Sequence, residues 1–211
     1  MPELYIITGS NGAGKSTIGP DYLPDDIQRK CIVFNGDKIF MDKQKELWKQ
    51  GIRAIKEARN LAAVFLEDLF DKTVDAKLEE KEDFVYEGHF TNESTWDVPR
   101  RFKSAGYQIH LIFFGVSDTE LSMARVIDRS KEGGHYVSPV EVNSNFYGNL
   151  EKLNEHFEMF DSVHIVDTSE TEHHVLAIFE FGLCNVALAK ELMPEWFVCY
   201  LPSLFERLPK K

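Results

Sequence analysis

The chain has 211 residues, of which 43% are hydrophobic and 28% are charged. This size and makeup are typical of a protein with one buried core, so we expect a single domain over residues 1–211. The formal net charge of −11 disfavours partners held through phosphate-backbone contacts, and we therefore expect no nucleic-acid partner. No apolar stretch approaches the roughly 20 residues of a membrane span and no signal-type segment opens the chain, which predicts a cytoplasmic protein without a membrane partner.

The three cysteines, Cys31, Cys184 and Cys199, are odd in number and widely separated. Their spacing matches no common set of metal ligands. Buried or idle thiols are therefore favoured over disulfides or a zinc site.

Short apolar runs alternate with amphipathic or polar stretches, which is typical of a parallel sheet with crossover helices. The predicted class is α/β, with a mostly parallel five-stranded sheet flanked by helices. Between the second and third strands, apolar residues recur at helical spacing from Leu47 to Leu69 and predict one or two long helices. The five candidate strands are Leu4 to Thr8, Cys31 to Asn35, Phe84 to Glu87, Gln108 to Gly115 and Ser162 to Asp167.

Residues 171–211 are predicted to form a C-terminal helix followed by an aromatic tail. The helix is assigned to "HHVLAIFEFGLCNVALAKELM", closed by Pro194. The tail, "PEWFVCYLPSLFERLPKK", is punctuated by prolines and ends with basic residues. We expect both to pack on the same domain; the alternative for the tail is a partner surface.

The stretch "GSNGAGKST", residues 9–17, follows the first predicted strand and fills the spacing G-x-x-x-x-G-K-S. Its glycines let the backbone wrap closely around a phosphate, so we predict a P-loop NTPase fold. Lys15 can reach the β and γ phosphates, and the Ser16 hydroxyl is placed to hold Mg²⁺. Gly19 and Pro20 predict a short or kinked first helix. The predicted nucleotide-binding residues are Gly9, Ser10, Asn11, Gly12, Ala13, Gly14, Lys15, Ser16 and Thr17.

Carboxylates follow the second and third predicted strands. "VFNGDKIF" brings Asp37, with Asn35 beside it, to the carboxyl edge of the sheet, where open α/β folds bind ligands. "FVYEGHFT" places Glu87 at the same edge. We interpret Asp37 as a general base and Glu87 as a residue that orients the acceptor or a Mg²⁺-bound water. An ordinary turn and a plain strand-end glutamate are the alternatives.

After the fourth strand, "ARVIDRSKEGGHYVSP" carries Arg125 and Arg129 four residues apart, on one face of a predicted helix. The glycine pair at 133–134 follows as a candidate hinge. Together they suggest a lid that closes on phosphates. The alternative is a solvated helix face on which the arginines pair with Glu120 or Asp128.

These stretches together resemble the short, single-domain members of the zeta toxin family of P-loop kinases. The matched segments are "GSNGAGKST", "FNGDKI", "EARNL", "FVYEGHFT" and "ARVIDRSKEGGHYVS", in the family's order over about residues 3 to 170. The segment with the two arginines and G-G-H is the most specific part. The resemblance implies a P-loop kinase fold with a lid segment.

The resemblance also implies a function: transfer of a phosphoryl group from ATP, with Mg²⁺, to a hydroxyl of a small molecule, which for characterised members is a UDP-activated amino sugar. An antitoxin protein is an implied candidate partner. The implied catalytic residues are Asp37 as base, Lys15, Arg125 and Arg129. The substrate contacts that the resemblance implies are Glu87, Arg59 and His135. Asn35, beside Asp37, and His89, after Glu87, are further candidate substrate contacts from their positions in the sequence.

Two departures from the family pattern concern the acceptor side. Gly88 and His89 stand where the family has threonines. The family's basic cluster, I-x-R-R-Y-x-R-S-L, is replaced here by "VNSNFYGNL", residues 142–150, with asparagines at 143, 145 and 149. Fewer cations indicate a less anionic acceptor or a slower enzyme. The main functional hypothesis is a small-molecule kinase; the alternatives are a nucleotide-dependent switch, or a binding module that has lost catalysis.

Overall fold

The computed structural model describes residues 1–131 and 137–209. Within these residues the strands form one seven-stranded sheet in the order β2-β3-β1-β4-β5-β6-β7. The strands are β1 (Glu3–Gly9), β2 (Phe34–Asn35), β3 (Phe84–Glu87), β4 (Gln108–Gly115), β5 (Ser162–Asp167), β6 (His174–Glu180) and β7 (Leu183–Ala187).

Helices connect the parallel strands and cover the sheet. In the described ranges, no helix combines the length and apolarity that a membrane span needs. The α-helices are α1 (Lys15–Ile18), α2 (Asp25–Lys30), α3 (Gly36–Lys49), α4 (Ile55–Glu80), α5 (Asp97–Ser104), α6 (Thr119–Lys131), α7 (Pro139–His156), α8 (Glu195–Tyr200) and α9 (Pro202–Glu206). Short 3-10 turns span Gly19–Tyr22, Glu93–Trp96, Phe157–Met159 and Lys190–Leu192.

The predicted α/β class is confirmed, and each of the five predicted strands is present. All five pair in parallel, so their carboxyl ends lie at one edge of the sheet. The second strand is shorter than predicted: only Phe34–Asn35 pairs with β3, and Cys31 lies outside the ladder. The sheet is also larger and more mixed than predicted, because β6 and β7 add two antiparallel strands.

These two strands correct the predicted C-terminal helix. Residues 174–187 form a β-hairpin whose turn residues, Phe181 and Gly182, both have positive φ, 51° and 75°. Paired positive φ values are typical of tight hairpin turns, and the right-handed helix excludes them. The apolar residues of this segment also fit helical spacing, so the local pattern allows either a helix or a strand. The pairing of β6 with β5 decides in favour of the strand.

The other helix predictions are confirmed. The apolar periodicity between β2 and β3 belongs to two helices, α3 and α4, separated by a break at residues 50–54 that includes Gly51 at φ 97°. The first helix, α1, has four residues and gives way at Gly19 and Pro20 to a 3-10 turn. Proline cannot continue the α-helix, because it has no backbone N–H to donate and its ring clashes with the carbonyl of the residue four positions earlier.

The C-terminal tail contributes large side chains to the main core. Trp196 and Phe197 of α8, Leu201, and Leu204 of α9 are each no more than 2% exposed and pack in the same cluster as the central strands. Trp196 also donates from Nε1 to Asp167 Oδ1 at 3.3 Å. The tail thus packs against the ends of β4 and β5, beside the carboxyl edge of the sheet.

We predict that Gly115→Ala destabilises the fold through this contact. A Cβ at Gly115 would lie 2.3 to 2.8 Å from three carbons of the buried Trp196 indole, closer than real Cβ atoms approach other atoms. Overpacking of this kind costs about 1 to 3 kcal/mol of unfolding free energy. Thermal or denaturant unfolding measures the loss.

Gly36→Ala is the matched control, since its new Cβ would meet only Leu66 at ordinary distances of 3.6 and 3.8 Å. Equal stability of the Gly115 and Gly36 variants would contradict the tight contact between Trp196 and β4.

Candidate active site

The loop of residues 9–17 joins β1 to α1, and other elements hold its carbonyl groups. Side chains from α6 and from the segment after β5 contact the carbonyl oxygens of three consecutive loop residues. The contacts are Ser122 Oγ to Asn11 O (2.6 Å), Arg125 Nη1 to Gly12 O (3.5 Å) and Thr168 Oγ1 to Ala13 O (3.2 Å). A trans peptide points its N–H opposite to its carbonyl, so the contacts to Asn11 O and Ala13 O turn the N–H groups of Gly12 and Gly14 toward the open side of the loop, whereas Ala13 N–H donates back to Ser10 O at 3.3 Å. N–H groups turned toward the open side of a loop in this way form an anion-binding concavity.

The positive φ angles of the loop need glycine. Gly9, Gly12 and Gly14 have φ values of 133°, 73° and 83°. A Cβ at Gly9 would lie 2.0 Å from Phe114 O, and one at Gly12 would lie 2.9 Å from Arg125 Cβ. The glycines therefore allow both the conformation of the loop and its close approach to β4 and α6.

The Lys15 side chain folds back onto the first residues of the loop. Its Nζ donates to Gly9 O and to Ser10 O, both at 2.8 Å. Burial lowers the pKa of Lys15 to about 8, against the opposing effect of Glu87 and Asp37. A buried ammonium with nearby carboxylates is well placed to meet an anionic ligand, which would favour its charged form.

Side chains from the ends of β2 and β3 meet the hydroxyl of Ser16. Ser16 Oγ donates to Glu87 Oε2 at 2.9 Å, and Asn35 Nδ2 contacts both Ser16 Oγ (3.1 Å) and Glu87 Oε1 (2.9 Å). Burial raises the pKa of Glu87, and the charge of Asp37 adds to this effect. The parallel strands thus bring a hydroxyl, an amide and a carboxylate from distant parts of the chain into one cluster.

Asp37 lies in the first turn of α3 because Asn35 caps that helix. The Asn35 Oδ1 accepts from Lys38 N at 2.9 Å, which begins a helix where the sequence also allowed an ordinary turn. Asp37 is exposed and lines a cleft of about 290 Å³ together with the loop residues 11–17, Glu87 and the two arginines of α6.

The two arginines of α6 lie on the same side of the cleft. Arg125 and Arg129 both line it, and neither forms the predicted alternative pair with Glu120 or Asp128 in the ion pairs of the described residues. Arg125 Nη2 donates to Ser169 O at 3.1 Å, in addition to its contact with the loop. Arg125 thus ties the loop to α6 and to the end of β5. The candidate hinge at 133–134 and His135 lie outside the described residues.

Arg59 and His89 lie outside this cleft. Arg59 is exposed on α4 and does not line it. His89 follows β3, and burial together with the charges of Lys15 and Arg129 holds its pKa well below the usual value. His89 therefore stays neutral at physiological pH, and its Nδ1 lies 3.1 Å from Asn149 Nδ2.

The asparagines that replace the family's basic cluster form hydrogen bonds inside the protein. Asn145 Nδ2 donates to Asn11 Oδ1 of the loop at 2.8 Å. Asn149 is 1% exposed, and its Oδ1 accepts from Phe90 N at 2.6 Å. Asn143 is exposed. Two of the three asparagines thus fix the loop and the segment after β3 against α7.

Sequence reasoning missed two residues that support the loop, Ser122 and Thr168, which are both buried. The only signal in the sequence is a small polar residue among apolar neighbours, as in "VDTS" after β5. That signal is weak, since such residues also cap helices and make turns.

Two solved structures share the fold. In a structure of the PezAT chromosomal toxin–antitoxin system of Streptococcus pneumoniae, the match is 20% identical, covers 80% of this chain and 69% of that chain, and has a TM-score of 0.56. In the AvrRxo1-ORF1:AvrRxo1-ORF2 complex with ATP, it is 17% identical, covers 100% of this chain and 66% of that chain, and has a TM-score of 0.69. The chain therefore spans about two thirds of the length of each.

Sequence comparison gives the family. An uncharacterized protein of Haemophilus influenzae is 25% identical over 136 residues, which are 64% of this chain and 86% of that protein. The family model named Zeta toxin matches residues 1–175, most of the chain. The chain therefore belongs to the zeta toxin family of P-loop kinases.

Proposed function

We propose that this protein is an ATP-dependent kinase that transfers the γ-phosphoryl group to a hydroxyl of a small molecule, with Asp37 as the base. The proposal rests on one observation: a single cleft is lined by Lys15, Asp37, Glu87, Arg125 and Arg129. It combines a phosphate-binding loop with a carboxylate that can accept a proton and with cations that balance charge. Family membership supports the same reaction class.

In the proposed reaction, the loop N–H groups and Lys15 bind the phosphates of ATP. The acceptor hydroxyl gives its proton to the Asp37 carboxylate as its oxygen bonds to the γ-phosphorus. The bond from that phosphorus to the β–γ bridging oxygen breaks, and ADP leaves with the electron pair. Arg125 and Arg129 stabilise the negative charge on the transferred group.

The residues around Ser16 fit a magnesium ion. The Ser16 hydroxyl and the Glu87 carboxylate are 2.9 Å apart, and Mg²⁺ prefers oxygen ligands of this kind. We propose that Ser16 holds Mg²⁺ directly and that Glu87 binds its water shell. When bound, the ion neutralises charge on the β and γ phosphates.

For the base, we expect Asp37→Asn to retain ATP binding and to lose phosphoryl transfer by about 10² to 10⁴-fold, because an amide cannot accept the proton. The assay incubates the protein with Mg²⁺, labelled ATP and a metabolite extract and measures label in acceptors. Asp42→Asn is the control, since Asp42 lies on the same helix outside the cleft.

Transfer that survives in the Asp37 variant would remove Asp37 as the base. ATP turnover that no acceptor accelerates in the unsubstituted protein would instead support the nucleotide-dependent switch.

The pKa of Lys15 predicts a pH dependence of ATP binding. Since that pKa is about 8, the ammonium loses its proton as the pH rises through 8, and the affinity for ATP falls. Above this pH the affinity should drop by up to about tenfold per pH unit, because binding then takes up a proton. Calorimetry from about pH 7.5 to about pH 9.5 measures the slope.

Lys15→Arg is the control for this slope, since a guanidinium stays charged throughout the range. Its affinity should be lower overall but flat with pH. A flat profile for the unsubstituted protein would show that Lys15 is not the titrating contact.

We also propose an antitoxin protein as a partner, supported by family membership and by the likeness to a toxin–antitoxin system. On this proposal, induced expression in a bacterial host slows growth, and Lys15→Ala abolishes the effect because it removes the phosphate contact. Growth curves of the two strains measure it. Identical growth at equal protein levels would contradict toxicity and, with it, the need for an antitoxin.

A further inference from the structure

A second pocket, of about 530 Å³, adjoins the nucleotide cleft and shares Glu87 with it. It lies between β3, α4 and the segment leading into α5. Its walls are mainly apolar and aromatic: Phe34, Leu66, Phe70, Tyr86, Phe90 and Val98. An apolar cavity next to a transfer site is suited to hold the non-reacting part of an acceptor.

The charged residues of this pocket all have one sign. Glu67, Asp71 and Glu87 line it, and none of its described lining residues is a lysine or an arginine. Glu67 and Asp71 lie one turn apart on α4, so they project from the same face. Neither forms an ion pair within the described part of the chain, whereas neighbouring Asp68 pairs with Lys72 at 2.6 Å. Glu67 and Asp71 are exposed and make the rim of the pocket on α4 acidic. We call this pocket the acidic pocket.

A buried hydroxyl in the wall of the acidic pocket also lacks a partner. Tyr86 is 4% exposed, and its phenol oxygen has no hydrogen-bond partner among the described residues. Burial raises its pKa far above the usual value, so the group remains a donor. The oxygen itself has less than 1 Å² of accessible surface, so the acidic pocket presents the ring of Tyr86 to a bound molecule.

We propose that the acceptor is a small alcohol that carries a protonated amine and an apolar part, bound in the acidic pocket. The inference rests on the proposed kinase function and specifies its substrate. The ammonium lies near Glu67 and Asp71, the apolar part contacts the aromatic wall, and the hydroxyl enters the cleft beside Glu87 and Asp37. An acceptor with a diphosphate, such as a nucleotide sugar, would bring two or more negative charges against Glu67 and Asp71, and no described residue that lines the acidic pocket is a cation.

The first experiment separates a bacterial metabolite extract by ion exchange into cationic, neutral and anionic fractions. Each fraction is incubated with the protein, Mg²⁺ and labelled ATP. We expect label to transfer to the cationic fraction. Label only in the neutral or the anionic fraction would overturn the amine-bearing acceptor and leave the kinase proposal intact. Absence of label in every fraction would overturn the kinase proposal and this inference with it.

The second experiment tests the rim carboxylates with the cationic fraction as acceptor. The double variant Glu67→Gln with Asp71→Asn should raise the apparent KM for that fraction by about three- to thirtyfold, given two exposed charge interactions, and leave the KM for ATP unchanged. Asp68→Asn is the matched control on the same helix, outside the pocket. An unchanged acceptor KM in a double variant that unfolds at the same temperature as the control would overturn the proposal.

Discussion

The geometry of the site depends on hydrogen bonds that turn the carbonyl groups of the loop after β1 toward the protein. Lys15 contacts the carbonyls of Gly9 and Ser10, and side chains of α6 and of the segment after β5 contact the next three. In a trans peptide the N–H points opposite to the C=O. The groups that donate to the loop carbonyls therefore determine the direction in which the N–H groups of the loop point. A loop of glycines without these contacts would have no single conformation.

The same contacts join elements that are distant in sequence. Ser122 and Arg125 bring α6 to the loop, Thr168 brings the end of β5, and Asn145 brings α7. Where the family pattern places cations in α7, this chain has amides that bond to the loop and to the segment after β3. The change therefore leaves less positive charge on α7, while its amides hold the loop and the segment after β3 in place.

The sequence predicted the secondary structure of some segments correctly and of others incorrectly. The limits of β3, β4 and β5 follow from their short apolar runs between polar segments, and the break of α1 follows from Gly19 and Pro20. The C-terminal hairpin was predicted as a helix because an apolar run with a single internal glycine fits both structures. The β7 partner and the positive φ of Phe181 depend on pairing with β6, which local pattern does not encode.

The sequence by itself indicated a phosphate-binding loop, because glycines, a lysine and a hydroxyl at fixed spacing form a local pattern. The contacts that fix the conformation of this loop come from distant elements and were decided only by the tertiary structure. The sequence also indicated Asp37 and Glu87, since parallel strands end at one edge. Only the tertiary structure decided that Glu87, Asn35 and Ser16 share hydrogen bonds and that Arg59 lies apart. The acidic pocket, too, could be seen only in the tertiary structure. The shape and charge of a pocket depend on which helices and strands lie side by side, and that arrangement depends on packing across the whole sheet.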